Sequence, residues 1–252
     1  MISVCIVNFN EGKNLKTCLE SIADFVSEVV VIDLGSTDDS KQVVQQFNGN
    51  FFTHEFVTYV ELIRNYAIDK TSGDWILVLD PDEIVSSQLK EKLKEITKQQ
   101  NYSAVSIPRK NIFFDKWISH TNWWPDRHIR FFKKGKVRWD DKIHSYPNVE
   151  GVVYELPARE ELAIIHHGYK TIGQFISRQN RYCEIEAKHL FDQGIRFSLS
   201  LFLWKPTREF LVRFIRHAGF LDGFHGFVLT YLMIVYQLQV MIKIWELGRL
   251  KK

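Results

Sequence analysis

The sequence predicts an α/β protein: a mixed, mostly parallel sheet flanked by helices, followed by a C-terminal helical extension. Three observations carry this. Ile2–Val7, Glu28–Asp33 and Trp75–Leu79 are short, continuous apolar runs, the pattern of strands buried on both faces. The crossovers between them are short and helical in period, so the strands run parallel with helices on both faces. From Thr171 onward strand-like segments stop and helical patterning takes over.

Taken in order, the first strand is followed by a helix that Asn10 is expected to cap, with Leu15, Cys18, Leu19 and Ile22 at i, i+3, i+4, i+7. The second strand ends at Gly35-Ser36, where glycine permits a tight turn. Asp38 and Asp39 then suit the first turn of a helix carrying Val43, Val44 and Phe47. A short strand near Phe51-Phe52 precedes a helix expected from about Thr58 to Lys70. The third strong strand stops at Asp80-Pro81-Asp82, and Ser86 or Ser87 opens a helix reaching about Lys98. Between Tyr102 and His167 the segments SAVSIP, HIRFF, GVVYEL and LAIIHH read as the mixed second half of the same sheet, separated by long polar and aromatic loops.

The chain has 252 residues, 45% apolar and 25% charged, which excludes disordered, collagen-like and multi-spanning membrane classes. The natural division is a domain over 1–170 and a helical extension over 171–252. Lys+Arg 33 against Asp+Glu 30 leaves +3, too balanced for a nucleic-acid partner. Cys5, Cys18 and Cys183 form neither a disulfide framework nor a CxxC zinc pattern, and fit a reducing cytoplasm. Met1 leads straight into an apolar strand, with no basic leader of the secretory kind.

Chemistry concentrates where strands end. Asp80, Asp82 and Glu83 cluster after a buried strand, on the edge where open α/β sheets bind ligands. Such carboxylates repel unless a cation sits among them, and Mg²⁺ or Mn²⁺ bridging to a diphosphate is the natural one. Taken alone, the cluster reads equally as the acidic start of a helix. Asp33, followed by Leu-Gly-Ser-Thr-Asp, and Asn8, Asn10 and Glu11 lie on the same edge, which adds up to a nucleotide-sized crevice. The sequence contains no GxSxG, GxGxxG or GxxxxGK[ST], so hydrolase, dehydrogenase and P-loop readings lose their fingerprints.

VCIVNFNEGKNLKTCLESI, VVVIDLGSTDDS, LIRNYAI and DWILVLDPDEIV, in that order, resemble the successive motifs of family 2 glycosyltransferases. WWPDRHIRFFKKG and VRWDDKIH resemble the lipopolysaccharide-core and surface-glycan branch, as GFLDGFHGF does more loosely. The resemblance implies a GT-A, Rossmann-like fold over about residues 1–170. It implies an inverting transfer from a nucleotide sugar, UDP-hexose by default, to a hydroxyl of a glycan or lipid-linked acceptor. In those terms Val7, Asn8, Glu11 and Asp33 hold the nucleotide base and Arg64 approaches the diphosphate. Asp80 contacts ribose or metal, Asp82 is the main metal ligand, and His144 binds metal or diphosphate. Pro81 replaces the family's usual small residue. Ser145 stands where the branch often has glutamate, so any role of that glutamate has no carrier.

The acceptor hydroxyl needs a base. Asp126, in Trp-Trp-Pro-Asp, and Asp140 or Asp141, in Trp-Asp-Asp-Lys, are the candidates. Asp126 is favoured because Trp123 and Trp124 offer a sugar platform and partial desolvation; a loop aspartate paired with Arg127 or Arg130 is the plain alternative. His166 and His167 read first as structural histidines. Two other functions remain open: a metal-dependent nucleotidyltransferase, against which NFNEGKN offers just one glycine and one nearby lysine, and a non-catalytic glycan- or nucleotide-binding module. The Phe220–Trp245 region is expected to dock on the inner membrane surface without crossing it, or to pack internally or pair two copies. Its longest apolar run, Phe227–Tyr236, is well short of the roughly 20 residues a span needs, and basic residues flank it.

Overall fold

A computed structural model describes residues 1–99, 101–140 and 146–250. The chain runs β1 (Ile2–Asn8), α1 (Gly12–Ile22), β2 (Glu28–Asp33), α2 (Ser40–Gln46), β3 (Asn50–Thr53), α3 (Glu61–Asp69), β4 (Trp75–Leu79), β5 (Glu83–Val85) and α4 (Ser87–Lys98). Then follow β6 (Ala104–Phe113), β7 (Lys116–Trp117), β8 (Asp126–Lys133), β9 (Val137–Arg138), β10 (Asn148–Val149), β11 (Val153–Glu155) and β12 (Ile164–Tyr169). Three long helices close the chain: α5 (Ile172–Asp192), α6 (Leu199–Phe210) and α7 (Phe224–Leu250).

The main sheet has the order β3-β2-β1-β4-β8-β6-β12-β5, with β7 and β11 also on β6. β3, β2, β1 and β4 pair in parallel, while β8 joins β4, and β12 joins β5, antiparallel. This is the mixed, mostly parallel sheet expected. Alternate residues of each central strand serve opposite faces. Val4 and Ile6 of β1 pack with Leu15, Leu19, Leu89 and Leu93 of α1 and α4. Cys5, Val30 and Ile32 face the other way, onto Ile63 and Ala67 of α3. Burial on both faces is why these strands read as unbroken apolar runs.

The chain forms two compact units: Met1–Arg109 with Arg127–His166, and Lys110–Asp126 with His167–Lys252. The second has its own core, in which Leu229, Met233, Val240 and Ile244 of α7 meet Phe175, Cys183 and Ala187 of α5. α7 is one unbroken helix of 27 residues, long and apolar enough by length and composition to cross a membrane, with 44% of its most apolar window buried. Gln237, Gln239 and Lys243 do not interrupt it, so the ten-residue run understated its length.

Three local expectations are corrected. Asn10 does not cap α1; it sits at φ +53° with its side chain turned to Thr37, and Glu11 occupies the cap position without a side-chain bond to a backbone amide of the helix. Asp38 does not enter the first turn of α2, but accepts from Gly12 N–H across the loops at 2.8 Å. α3 begins at Glu61 and not near Thr58. At α4 the cap is Ser86, whose hydroxyl accepts from Leu89 N–H at 3.1 Å.

Candidate active site

Strand register assembles the site of the first unit. Asn8 of β1 is the lateral partner of Asp33 of β2, and Ile6 is that of Leu79, so Asp80 leaves β4 at the level of Val7, one residue before the Asn8–Asp33 pair. Asn8, Asp33 and Asp80 therefore gather at the carboxyl ends of three adjacent parallel strands. This is the edge where such sheets hold ligands.

Asn8 and Asp33 turn inward. Asn8 Nδ2 donates to Asp33 Oδ1 at 2.9 Å and to Ser40 Oγ at 2.9 Å. Asp33 also accepts from the Gly35 and Ser36 amides at 3.1 and 2.8 Å, and from Ser36 Oγ at 2.6 Å. This carboxylate shapes the turn, and Gly35 supplies the φ of +88° that the turn requires. Asn10 locks the two loops together: its amide reaches Ser36 Oγ and its Oδ1 accepts from Thr37 N–H, both at 2.8 Å. Val7 packs into the core beneath the edge, and Glu11 accepts from Asn14 Nδ2 at 2.6 Å. Beyond the strand ends, Phe9 and Phe56 stay exposed with ring centroids 5.0 Å apart, an aromatic pair that no local pattern marks.

The acidic cluster is neutralised by arginines drawn from distant segments. Arg130 of β8 places Nη2 2.5 Å from Asp80 Oδ2 and 2.7 Å from Glu83 Oε1. Arg109 of β6 lies 3.5 Å from Glu83, and Arg64 of α3 lies 3.6 Å from Asp80. Burial alone would raise the Asp80 carboxyl, but Arg130, Arg64 and Arg109 outweigh it and hold Asp80 well below the usual carboxylate range. Arg64 also lies over the Trp139 ring at 5.5 Å, and its buried Nε has no hydrogen-bond partner. Glu83, fully buried, accepts from the Asp80 amide at 2.9 Å and so fixes the bend after β4.

Asp82 is the acid turned elsewhere. Its Oδ2 lies 3.5 Å from Nε2 of His166, a buried residue of β12. The order of the strands makes this pairing, since β12 lies against β5. Among the described residues no three His, Cys, Asp or Glu side chains converge as a ready-made metal cage. Asp82 and His166 are the residues at this edge that could take part in holding a divalent cation.

In the second unit, Asp126 opens β8 and its Oδ2 accepts from Nδ2 of the buried Asn111 at 3.0 Å; the same nitrogen lies 3.1 Å from the Trp123 carbonyl. Arg127 and Arg130 point elsewhere, Arg127 to the Leu156 carbonyl and Arg130 to the acidic cluster. Trp123 packs edge-on to Phe113 at 4.9 Å with Arg213 5.3 Å above its ring, and Trp124 meets Trp117 edge-on at 5.5 Å. Asp140 accepts from Asn148 Nδ2 at 3.0 Å. Asp141 and His144 lie outside the described residues.

The sequence pattern of glycosyl transferase family 2 matches residues 3–150. The chain is 25% identical over 261 residues to the lipopolysaccharide core biosynthesis glycosyltransferase LpsC of Rhizobium meliloti, covering 99% of this chain and 94% of that protein. It is 26% identical over 240 residues to an uncharacterized glycosyltransferase of Rickettsia felis, covering 90% and 83%. Among solved structures, glucosyl-3-phosphoglycerate synthase from Mycobacterium tuberculosis, in complex with Mn²⁺ and UDP-glucose, is similar over 43% of each chain, with 20% identity and a TM-score of 0.38.

Proposed function

The chain belongs to glycosyl transferase family 2 and carries its GT-A fold, and from that premise we propose that it is an inverting transferase. It moves a sugar, hexose from UDP-hexose by default, to a hydroxyl of a glycan or lipid-linked acceptor in lipopolysaccharide or related surface-glycan synthesis. The observation that carries this reading is the gathering of Asn8, Asp33 and Asp80 at the carboxyl ends of three adjacent parallel strands, with Asp82 two residues beyond Asp80. The similarity to a lipopolysaccharide-core enzyme along nearly the whole chain supports the acceptor class.

In this reading the turn after β1 and Asp33 form the base pocket, and Phe9 and Phe56 offer it an aromatic wall. Asp80, held ionised by Arg130 and Arg64, accepts from the ribose. Asp82 and His166 are the residues that would hold a divalent cation, Mn²⁺ or Mg²⁺, whose charge would stabilise the leaving diphosphate. Asp126 takes the proton of the acceptor hydroxyl, with Asn111 fixing its carboxylate; Asp141 is the other candidate base. Asp82→Asn should abolish Mn²⁺-dependent UDP release and weaken Mn²⁺–UDP binding in isothermal titration while the fold persists. Unchanged affinity and turnover would remove the metal assignment, and release of pyrophosphate in place of UDP would remove the sugar-transfer reading.

A lipid-linked acceptor would have the enzyme work at the inner face of the cytoplasmic membrane, and we infer that it docks there. Phe210, Phe214, Phe227 and Phe224 form a chain of rings 5.4 to 6.4 Å apart, and Phe224 is 77% exposed. The acids nearby are internally satisfied: Glu209 pairs with Arg213 at 2.7 Å and Asp222 is buried, while Arg208 and Arg216 stay exposed. An exposed aromatic patch with basic neighbours suits an anionic bilayer surface. Phe220→Asp/Phe224→Asp should abolish co-sedimentation with anionic vesicles. Equal sedimentation of variant and wild type, or loss of a dimer in place of vesicle binding, would overturn this placement.

A further inference from the structure

The segment between β7 and β8 carries a conformation that costs energy. Thr121 and Asn122 sit at φ +55° and +63°, consecutive left-handed residues. For a β-branched threonine this is a rare position, and such strain persists only where surrounding contacts impose it. Most of the contacts come from one residue. Asp222, 2% exposed in the turn before α7, accepts from Thr121 Oγ1 at 2.6 Å, from the Ser119 and His120 amides at 3.1 Å each, and from Ser119 Oγ at 3.4 Å. His120 Nδ1 lies 3.4 Å from the same carboxylate, and the Asp222 carbonyl accepts from Lys116 Nζ at 2.7 Å. Two further bonds close the clamp: Thr121 N–H to the His217 carbonyl at 3.1 Å, and Arg213 Nη1 to the Thr121 carbonyl at 3.1 Å. Four residues beyond Asn122 the chain reaches Asp126, whose far side Asn111 holds.

We propose that Asp222 is a positioning residue for sugar transfer, holding Ser119–Thr121 in a strained turn so that Asp126 is presented in one orientation. A buried carboxylate ringed by hydrogen-bond donors is stiff, because moving any one donor leaves charge unsatisfied. Asparagine has the same shape but turns an NH₂ toward donors on one side, so Asp222→Asn loosens the clamp without emptying it. This proposal rests on Asp126 being the base.

The test is a double-mutant cycle on transfer by the full chain, using Asp222→Asn, Asp126→Asn and both together. Asp222→Asn should lower kcat by about 100-fold, the scale of a small misplacement of a reacting group, with donor KM unchanged. The double variant should be no slower than Asp126→Asn alone, because residues acting as one unit are not additive. Multiplicative losses, or a normal kcat for Asp222→Asn beside a slow Asp126→Asn, would overturn the positioning role and leave the base intact. A normal Asp126→Asn rate would instead overturn the base reading, and the positioning role with it. Should Asp222→Asn fail to fold, Thr121→Val removes a single bond of the clamp and should show the same split and the same non-additivity.

Discussion

Arg130 is the residue on which the acidic cluster depends, and Arg130→Met is the perturbation that measures this. The guanidinium lies 2.5 Å from Asp80 and 2.7 Å from Glu83, with side-chain exposures of 6%, 29% and 0% for the three residues. Breaking a buried ion pair from one side costs about 3–5 kcal/mol, because a desolvated charge is left behind. Here Arg64 and Arg109 remain at 3.6 and 3.5 Å, and Asp80 keeps partial contact with water, so the lower end applies. About 3 kcal/mol corresponds to a fall in melting temperature of about 6–12 °C for a chain of this size. The pH dependence fixes the cause. In the wild type Asp80 titrates well below its unfolded value, so its contribution is present above the unfolded pKa and lost only as pH falls toward the folded one. In Arg130→Met Asp80 loses its nearest cation and its folded pKa rises toward the unfolded one, so the deficit should narrow between pH 5 and pH 3, where the wild type loses that advantage. Thermal melts at pH 7, pH 5 and pH 3 read both effects. A wild-type melting temperature at pH 7, or a deficit independent of pH, would refute the argument. Arg130→Met/Glu83→Leu should recover much of the loss, since an apolar pair replaces an ion pair at little cost.

Three further outcomes follow. Burial pushes the Cys5 thiol up to about 12 and the Cys183 thiol to about 11, so neither thiolate is available near neutral pH; an aromatic disulfide reagent should label no cysteine in the native state and all three after unfolding. Gly226→Ala would set a Cβ 1.8 Å from the Gly219 carbonyl oxygen, backbone against backbone, and should destabilise the second unit by about 1–3 kcal/mol in urea titration. Gly35→Ala meets open space but must hold φ +88°, so it should cost about 1 kcal/mol through strain alone, with Gly35→Asn milder.

Much of the fold was legible because the parallel half of the sheet is built from local patterns. The runs at β1, β2 and β4 are apolar throughout because both faces are covered, and Leu15, Cys18, Leu19 and Ile22 repeat with the period of a buried helix face. Caps were harder. Asn10 has the chemistry of a cap, but its side chain is used across the loops by Thr37, a tertiary contact with no trace in the local pattern. The three strand ends were readable as one edge because parallel topology brings them there. What converges on that edge from elsewhere was not: Arg109, Arg130 and His166 come from β6, β8 and β12, and only sheet order brings them to Glu83, Asp80 and Asp82. Asp222 was hidden for the same reason, lying 101 residues beyond the threonine it holds.

That convergence changes why a cation would be needed. From sequence, three adjacent carboxylates demand a positive charge, and a metal is the obvious source. In the fold Asp80 and Glu83 already have Arg130, Arg64 and Arg109 beside them, so their repulsion is answered by the protein itself. What is not answered is the charge a nucleoside diphosphate brings. The arginines near Asp80 and Glu83 are committed to those acids, and Asp82 adds a further negative charge next to His166. On the proposed reading a cation would be recruited by the donor more than by the free site, with Asp82 as its protein anchor. The order of binding follows: Mn²⁺ alone should bind weakly, UDP alone weakly, and each should strengthen the other by the same factor, as linkage requires. Isothermal titration of Mn²⁺ with and without UDP measures that factor. Tight binding of Mn²⁺ to the free protein, unchanged by UDP, would show that the carboxylates themselves call for the metal.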